Sequence, residues 1–276
     1  MKIYEVIDQI IARHPPAAAD TMDIVKCGDA AKECTGVAVS CYASVPVIRE
    51  CARLGVNLLI IHEPTFYNDR DDVAWLTDDP IFKAKTALLD ETGIVIFRDH
   101  DRIHGGSPMD YGQQHMDGIF YGLMRELGWD NYLYLYPNKP LIYHIPETTG
   151  RALAAALMEK LNLHGVRVVG DPDTLVRNVF FCEHVWGDER DRKLIEITES
   201  EDIDAIIPLE IVDWTLSEYV RDSAALGRPR VLLEMGHFNF EELGMKHMTR
   251  WLPGIVGADT PVYFLPSGDS FQYITR

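Results

Sequence analysis

Hydrophobic and polar residues follow two different periods along this chain, and the two take turns. At the start, MKIYEVIDQIIARH sets apolar residues at helical spacing and predicts an amphipathic helix. GVAVSC (36–41) reads as a strand, and VPVIRECARLG (45–55) as a helix closed by Gly55. NLLIIHEP (57–64) is unbroken apolar sequence as far as His62, the pattern of a strand buried on both faces. A helix around 80–92, the strand GIVIFRDH (93–100) and a helix over roughly 112–127 follow.

A segment with three prolines, YLYPNKPLIYHIPETTG (134–150), interrupts the series and marks an expected boundary. Beyond it the alternation resumes. It runs through a helix over 149–162, strands near 166–170 and 177–184, a helix near 189–198 and the strand DAIIPLE (204–210). A helix over 213–226, the strand RPRVLLEM (228–235), the helix FEELGMKHMTRWL (240–252) and a closing strand pair, TPVYFL and SFQYI, complete it. Helices alternating with short apolar strands point to an α/β fold. The expectation is two α/β lobes with mixed sheets flanked by helices, an N-terminal lobe over 1–138 and a C-terminal lobe over 139–276.

Charge narrows the partners. Forty-three acidic residues face 26 basic ones, a net charge of −17. That disfavours nucleic acid, whose phosphates are held by Lys and Arg, and it raises the local concentration of cations, metal ions among them. No apolar run is long enough to cross a bilayer, and the first helix lacks a signal-peptide core and cleavage site, so the expected setting is cytoplasmic. The five cysteines form no C-x-x-C pair and read as buried free thiols in a reducing compartment.

Three segments concentrate side chains with metal-ligand chemistry. In LLIIHEPTFY (58–67), His62 and Glu63 stand where a buried strand leaves the core, the place where α/β folds gather ligands. A helix-capping Glu beside a hydrogen-bonded core His is the structural alternative. RDHDRIHGGSPMD (98–110) packs Asp99, His100, Asp101, His104 and Asp110 with two glycines into what reads as a turn-rich loop. In VLLEMGHFNFEELG (231–244), His237 and Glu241 are four apart where a helix begins, a spacing that puts both on one helix face. Cys182, Glu183 and His184 also follow a strand, and packing or substrate contact is expected of them. His115, His164 and His247 read as ordinary surface or core histidines. P-loop, G-x-G-x-x-G and G-x-S-x-G motifs are absent.

Taken in order, the three segments resemble the NIF-three-like family (the NGG-one-interacting factor three group) of dinuclear metal-centre proteins. The resemblance covers most of the chain and is strongest at its two ends. The HEP of residues 62–64 stands where the family has His-His-Pro, RDHDRIH where it has a His-Thr-Asn-Leu-Asp type loop, and MGHFNFEELG matches its Gly-His-x-x-x-Glu segment. Glu63 replaces a family His and His104 replaces the family's ligating Asp, so three imidazoles and two carboxylates are kept. The resemblance thus implies a metal set of His62, Glu63, His104, His237 and Glu241 at strand ends between the lobes, with Asp101 as the substitute if the loop is shifted. Glu241 suits the carboxylate that bridges two ions.

The function implied is that of a metal-dependent hydrolase holding two divalent ions per chain (Zn, Mn or Fe). It would act on nucleotide-like or cyclic amide substrates, as in a GTP-cyclohydrolase-type activity. His100 is the expected group for supporting the ligands or moving a proton. The alternative is a non-catalytic metal-binding homo-oligomer, a toroidal hexamer that stores metal or scaffolds a partner.

Overall fold

The computed structural model describes residues 1–108, 115–135 and 141–274. The chain divides into two compact units: Met1–Glu126 with Glu241–Ser267, and Leu127–Phe240 with Gly268–Arg276. The single cut expected at 138/139 falls within residues outside the described ones. It also differs in kind from this division, because the chain returns to the first unit at Glu241 and to the second at Gly268.

The first unit opens with α1 (Ile3–Ile11), β1 (Val25–Cys27), β2 (Val37–Ser40), α2 (Val45–Leu54) and β3 (Leu58–Ile61). It continues through α3 (Pro80–Thr92), β4 (Val95–Arg98), α4 (Asp101–Gly105), the two-stranded β5 (Ser107–Pro108) and β6 (His115–Met116), and α5 (Gly118–Leu127). Its sheet runs β1-β4-β3-β2 and ends on a late strand described below; β2, β3 and β4 are parallel and β1 is antiparallel. Alternate residues of the three central strands feed two cores. Val37, Val39, Leu58, Ile60, Val95 and Phe97 meet α1 on one face, and Ala38, Leu59, Ile61 and Ile96 meet α2 on the other. Burial on both faces is why these strands read as unbroken apolar runs. The ends of α2 follow the expected chemistry: the Ser44 hydroxyl accepts from the Val47 N–H, and Gly55 closes the helix at φ +71°.

The second unit contains β7 (Leu133–Leu135), β8 (Leu141–Thr149), α6 (Gly150–Leu161), β9 (Arg167–Gly170) and β10 (Leu175–Val185). It goes on with α7 (Asp191–Ser200), β11 (Ala205–Ile211), α8 (Leu216–Ala225) and β12 (Val231–Glu234). Its sheet order is β7-β8-β10-β11-β12-β9, with β10, β11 and β12 parallel and the remaining pairs antiparallel. Helix α8 covers one face through Leu216 and Val220, against Ile142, Phe180, Ile206 and Leu232, and α7 packs Leu194, Ile195 and Ile197 beside them. Trp129, Tyr143, Phe181 and Phe240 form an aromatic cluster.

After β12 comes α9 (His237–Met248), whose residues from Glu241 onward belong to the first unit, followed by α10 (Pro253–Val256) and β13 (Val262–Phe264). Strand β13 pairs parallel with β2 and completes the first sheet. The expected partner SFQYI is not a strand: residues 270–274 are exposed, with Tyr273 laid against Gly165. The loop expected around 101–105 is the short helix α4, because the buried Asp23 carboxylate accepts from the backbone N–H groups of His100, Asp101 and Arg102. Helix α5 starts at Gly118, and residues 112–114 of the helix expected there lie outside those described. Among the described residues no helix is long and apolar enough to cross a membrane.

Candidate metal centre

In the first unit, β3 and β4 end side by side and deliver His62 and Glu63 from one and Asp99 and His100 from the other. Helix α4 adds His104, and α9 adds Glu241. His62 is fully buried and Glu63 and Glu241 nearly so. Each imidazole is anchored through its Nδ1. His62 Nδ1 donates to the Asp99 carbonyl at 3.0 Å, and His104 Nδ1 donates to the Asp117 carboxylate at 2.8 Å. Both acceptors lack a proton to give, so the neutral form of each ring carries its lone pair at Nε2. The two Nε2 atoms stand 3.1 Å apart, with Glu241 Oε2 3.5 Å from His62 Nε2 and Oε1 3.9 Å from His104 Nε2.

Two lone pairs held face to face beside a buried carboxylate repel unless a cation lies between them. Two nitrogens on one tetrahedral zinc are roughly 3.3 Å apart, given Zn–N bonds of about 2.0–2.1 Å. The donors therefore fit a divalent ion, and without one the protein substitutes a proton. Burial opposes charge on the His62 ring, but Glu241, then Glu63 and the Asp99 carbonyl outweigh it and raise its pKa to about 9.

His100 stacks on His62, ring centroids 4.6 Å apart, and meets His104 edge-on at 4.8 Å. Its Nδ1 donates to Asp101 at 2.9 Å. Burial first, then the neighbouring rings of His62 and His104, push its pKa down to about 4, so it is neutral near pH 7. Asp101 also accepts from Thr21 Oγ1 and the Met22 N–H. Burial works against its charge, but these bonds and the one from His100 bring it down to about 2. Asp101 thus holds His100 in place. Asp110 lies outside the described residues.

Among the described residues, groups of three donors lie within 4.8 Å of one another as His62, His100 and His104, as His62, Glu63 and Glu241, and as His184, Glu210 and His237. Four of the five expected ligands thus fall together in the first unit. His237 falls in the second, where its Nδ1 donates to Glu210 at 2.7 Å.

Several supporting residues were not visible in the sequence. Asp117 orients His104 with one carboxylate oxygen, and with the other it accepts from the Ile119 and Phe120 N–H groups at the start of α5. Behind Asp99, whose carbonyl holds His62, its own buried carboxylate meets His14 Nε2 at 3.3 Å. Arg98 donates to the His62 carbonyl at 2.8 Å and stands 3.8 Å from Glu63.

Comparison with solved structures finds the same fold in bacterial and archaeal proteins. Staphylococcus aureus protein SA1388 is 17% identical, with 99% of each chain covered and a TM-score of 0.70. A Bacillus cereus protein related to NIF3 is 14% identical over 100% of this chain and 99% of that one, with a TM-score of 0.71. HcgD from Methanocaldococcus jannaschii is 18% identical over 96% and 98%, with a TM-score of 0.64. At such identities the likeness speaks for the fold alone. A comparison with curated proteins finds no match. The Duf34/NIF3 (NGG1p interacting factor 3) family model matches residues 1–266, and the chain belongs to that family.

Proposed function

We propose that the first unit is the centre of a metal-dependent hydrolase, with His62, Glu63, His104 and Glu241 as ligands for one or two divalent ions and His100 beside them. The observation that carries it is the pair of Nδ1-anchored imidazoles whose Nε2 atoms face each other 3.1 Å apart against the Glu241 carboxylate. A divalent ion there supplies Lewis acidity toward a phosphoryl or carbonyl oxygen and toward water. The chain's own residues do the rest. Asp99 and Asp117 keep the two rings in the donor tautomer. Asp101 holds the His100 proton at Nδ1 and leaves its Nε2 as an acceptor toward a substrate or water proton. With a pKa of about 4, His100 orients such a proton and does not store it. Nucleotide-like phosphoesters and cyclic amides are the substrate classes to try first.

The test is metal content after supplementation with Zn, Mn or Fe, for wild type beside His62→Ala and Glu63→Ala, followed by hydrolysis of a panel of phosphoesters, nucleotides and cyclic amides. Metal bound by wild type and lost from the variants, with turnover on the panel, is the expected result. Full stoichiometry in both variants overturns the ligand assignment. A loaded but inert chain points instead to the non-catalytic, oligomeric alternative.

A further inference from the structure

The loops that leave β10 and β11 hold two tryptophans in the open. Trp186 is 44% exposed and Trp214 66%, although indoles are highly buried on average in folded proteins. Both follow the carboxyl ends of adjacent parallel strands in the second unit, where open α/β sheets bind ligands.

Both loops are fixed from beneath. The Asp191 carboxylate, 1% exposed at the start of α7, accepts from the Trp186 and Gly187 N–H groups at 2.8 and 2.7 Å and from the Thr215 hydroxyl. The Trp214 Nε1–H donates to the Gly187 carbonyl at 2.8 Å. Gly187 stands at φ +76°, and a Cβ there would lie 2.6 Å from Val212 and 2.9 Å from the Trp214 ring, so the close approach of the indole depends on glycine. With its N–H taken by the backbone, Trp214 offers a partner its ring face, and little ordering remains to be done on binding.

Trp186 shows what such a face takes in this setting. The Arg190 guanidinium lies over its ring at 4.0 Å, and Asp188 grips that guanidinium through Nε at 2.9 Å and through Nη2 at 2.6 Å. An indole and a carboxylate together hold one guanidinium. Trp214 has comparable surroundings and a more open face: exposed Asp213 precedes it, and exposed Glu189 belongs to the loop it packs on. The chain as a whole carries −17.

We propose that Trp214 and these carboxylates dock an arginine-bearing segment of a partner protein on the surface formed by the loops after β10 and β11. A planar guanidinium matches both an indole face and a carboxylate fork, whereas the ammonium of lysine matches by charge alone. The indole lies open at the surface. That suits a protein segment, because small molecules bind where a cleft encloses most of their surface. Trp and Arg are also the residues that dominate the energetics of protein–protein contacts.

The experiment titrates the whole chain with a fluorescein-labelled peptide of alternating glycine and arginine at about 150 mM salt. The lysine and glutamate versions of the peptide and free arginine amide run beside it. Wild type is compared with Trp214→Phe, which keeps an aromatic face, and Trp214→Leu, which keeps only an apolar side chain. Saturable binding of the arginine peptide is expected, weakened about fivefold or more in Trp214→Leu and largely kept in Trp214→Phe. Equal binding by wild type and Trp214→Leu, the result that attraction to net charge alone would give, overturns the proposal. So does an arginine peptide that binds no more tightly than the glutamate peptide or free arginine amide. Should Trp214→Leu fail to fold, the Trp214 indole N–H resonance of wild type decides: it shifts on addition of the arginine peptide, and a resonance that stays in place overturns the assignment.

Discussion

Asp117 serves two masters, and replacing it with Asn forces a choice between them. One oxygen takes the His104 Nδ1–H at 2.8 Å, and the other takes the Ile119 and Phe120 N–H groups at 3.0 and 3.3 Å. An amide offers one acceptor and one donor group, so it can satisfy only one side. Turning its NH2 toward α5 would orphan buried backbone N–H groups and remove a cap worth about 0.5–2 kcal/mol. Turning it toward His104 costs the ring only a change of tautomer, and that ring is 28% exposed. The amide oxygen therefore stays with the helix, and the amide nitrogen faces Nδ1. His104 must then carry its proton at Nε2, where the lone pair for the metal would be. Loss of an orienting carboxylate costs about 10–100-fold in metal affinity, or about 1.4–2.8 kcal/mol. Competition against a chromophoric chelator reads the affinity, and urea unfolding of the metal-free protein reads stability. Asp117→Asn is expected to bind zinc 10–100-fold more weakly (an order-of-magnitude range) with a nearly unchanged urea midpoint, whereas Asp117→Ala loses both. Zinc affinity within about twofold of wild type in Asp117→Asn would refute the lone-pair argument.

The metal-free protein should be most stable near pH 6.5. His62, raised to about 9, contributes stability that is full below its unfolded value and lost as pH rises through 9, roughly 3 kcal/mol in all. His100, lowered to about 4, contributes stability that is full above its unfolded value and lost as pH falls toward 4. Urea midpoints across roughly pH 4–10 should therefore fall on both sides of the ordinary His value, and a flat profile from about pH 6.5 to 9.5 would contradict the His62 assignment. Asp23→Ala leaves three N–H groups at the start of α4 without their carboxylate, with an expected loss of about 1–3 kcal/mol by denaturant unfolding and weaker metal binding through a displaced His104. A Cβ at Gly244 would lie 2.5 Å from the Ile119 carbonyl oxygen, so Gly244→Ala should destabilise by about 1–3 kcal/mol despite alanine's better helix propensity. An unchanged melting temperature would show that α5 and α9 can move apart.

The parts of the fold that were legible in the sequence are those decided locally. The apolar runs of β2, β3 and β4 and the Ser44 and Gly55 ends of α2 needed no knowledge of distant residues. SFQYI alternated well enough for a strand, but a strand needs an edge to pair with, and sequence alternation cannot supply one. The segments with metal-ligand chemistry were visible for the same reason as the strands, since each follows an apolar run. Their grouping was not. His237 and Glu241 share a helical face in the sequence, and the structure also sets His237 against Glu210 and His184 on two strands. Only the parallel register of β10 and β11 sets His184 opposite Glu210, and that register is a tertiary fact. Asp23 and Asp117 were hidden similarly, because a carboxylate that caps a helix and orients a ligand looks from its neighbours like any polar loop residue.

The order in which the chain leaves the ribosome gives the divided first unit a timetable. His62, Glu63 and His104 are synthesised before the whole of residues 127–240, and Glu241 and β13 only after it. At about 5–20 residues per second that interval lasts roughly ten seconds. Throughout it the outer edge of β2 has no β13 to pair with, and the facing imidazoles have no Glu241 carboxylate beside them. A metal held by the proposed donors would therefore reach full strength late in the life of the nascent chain, because Glu241 follows residues 127–240 in the sequence.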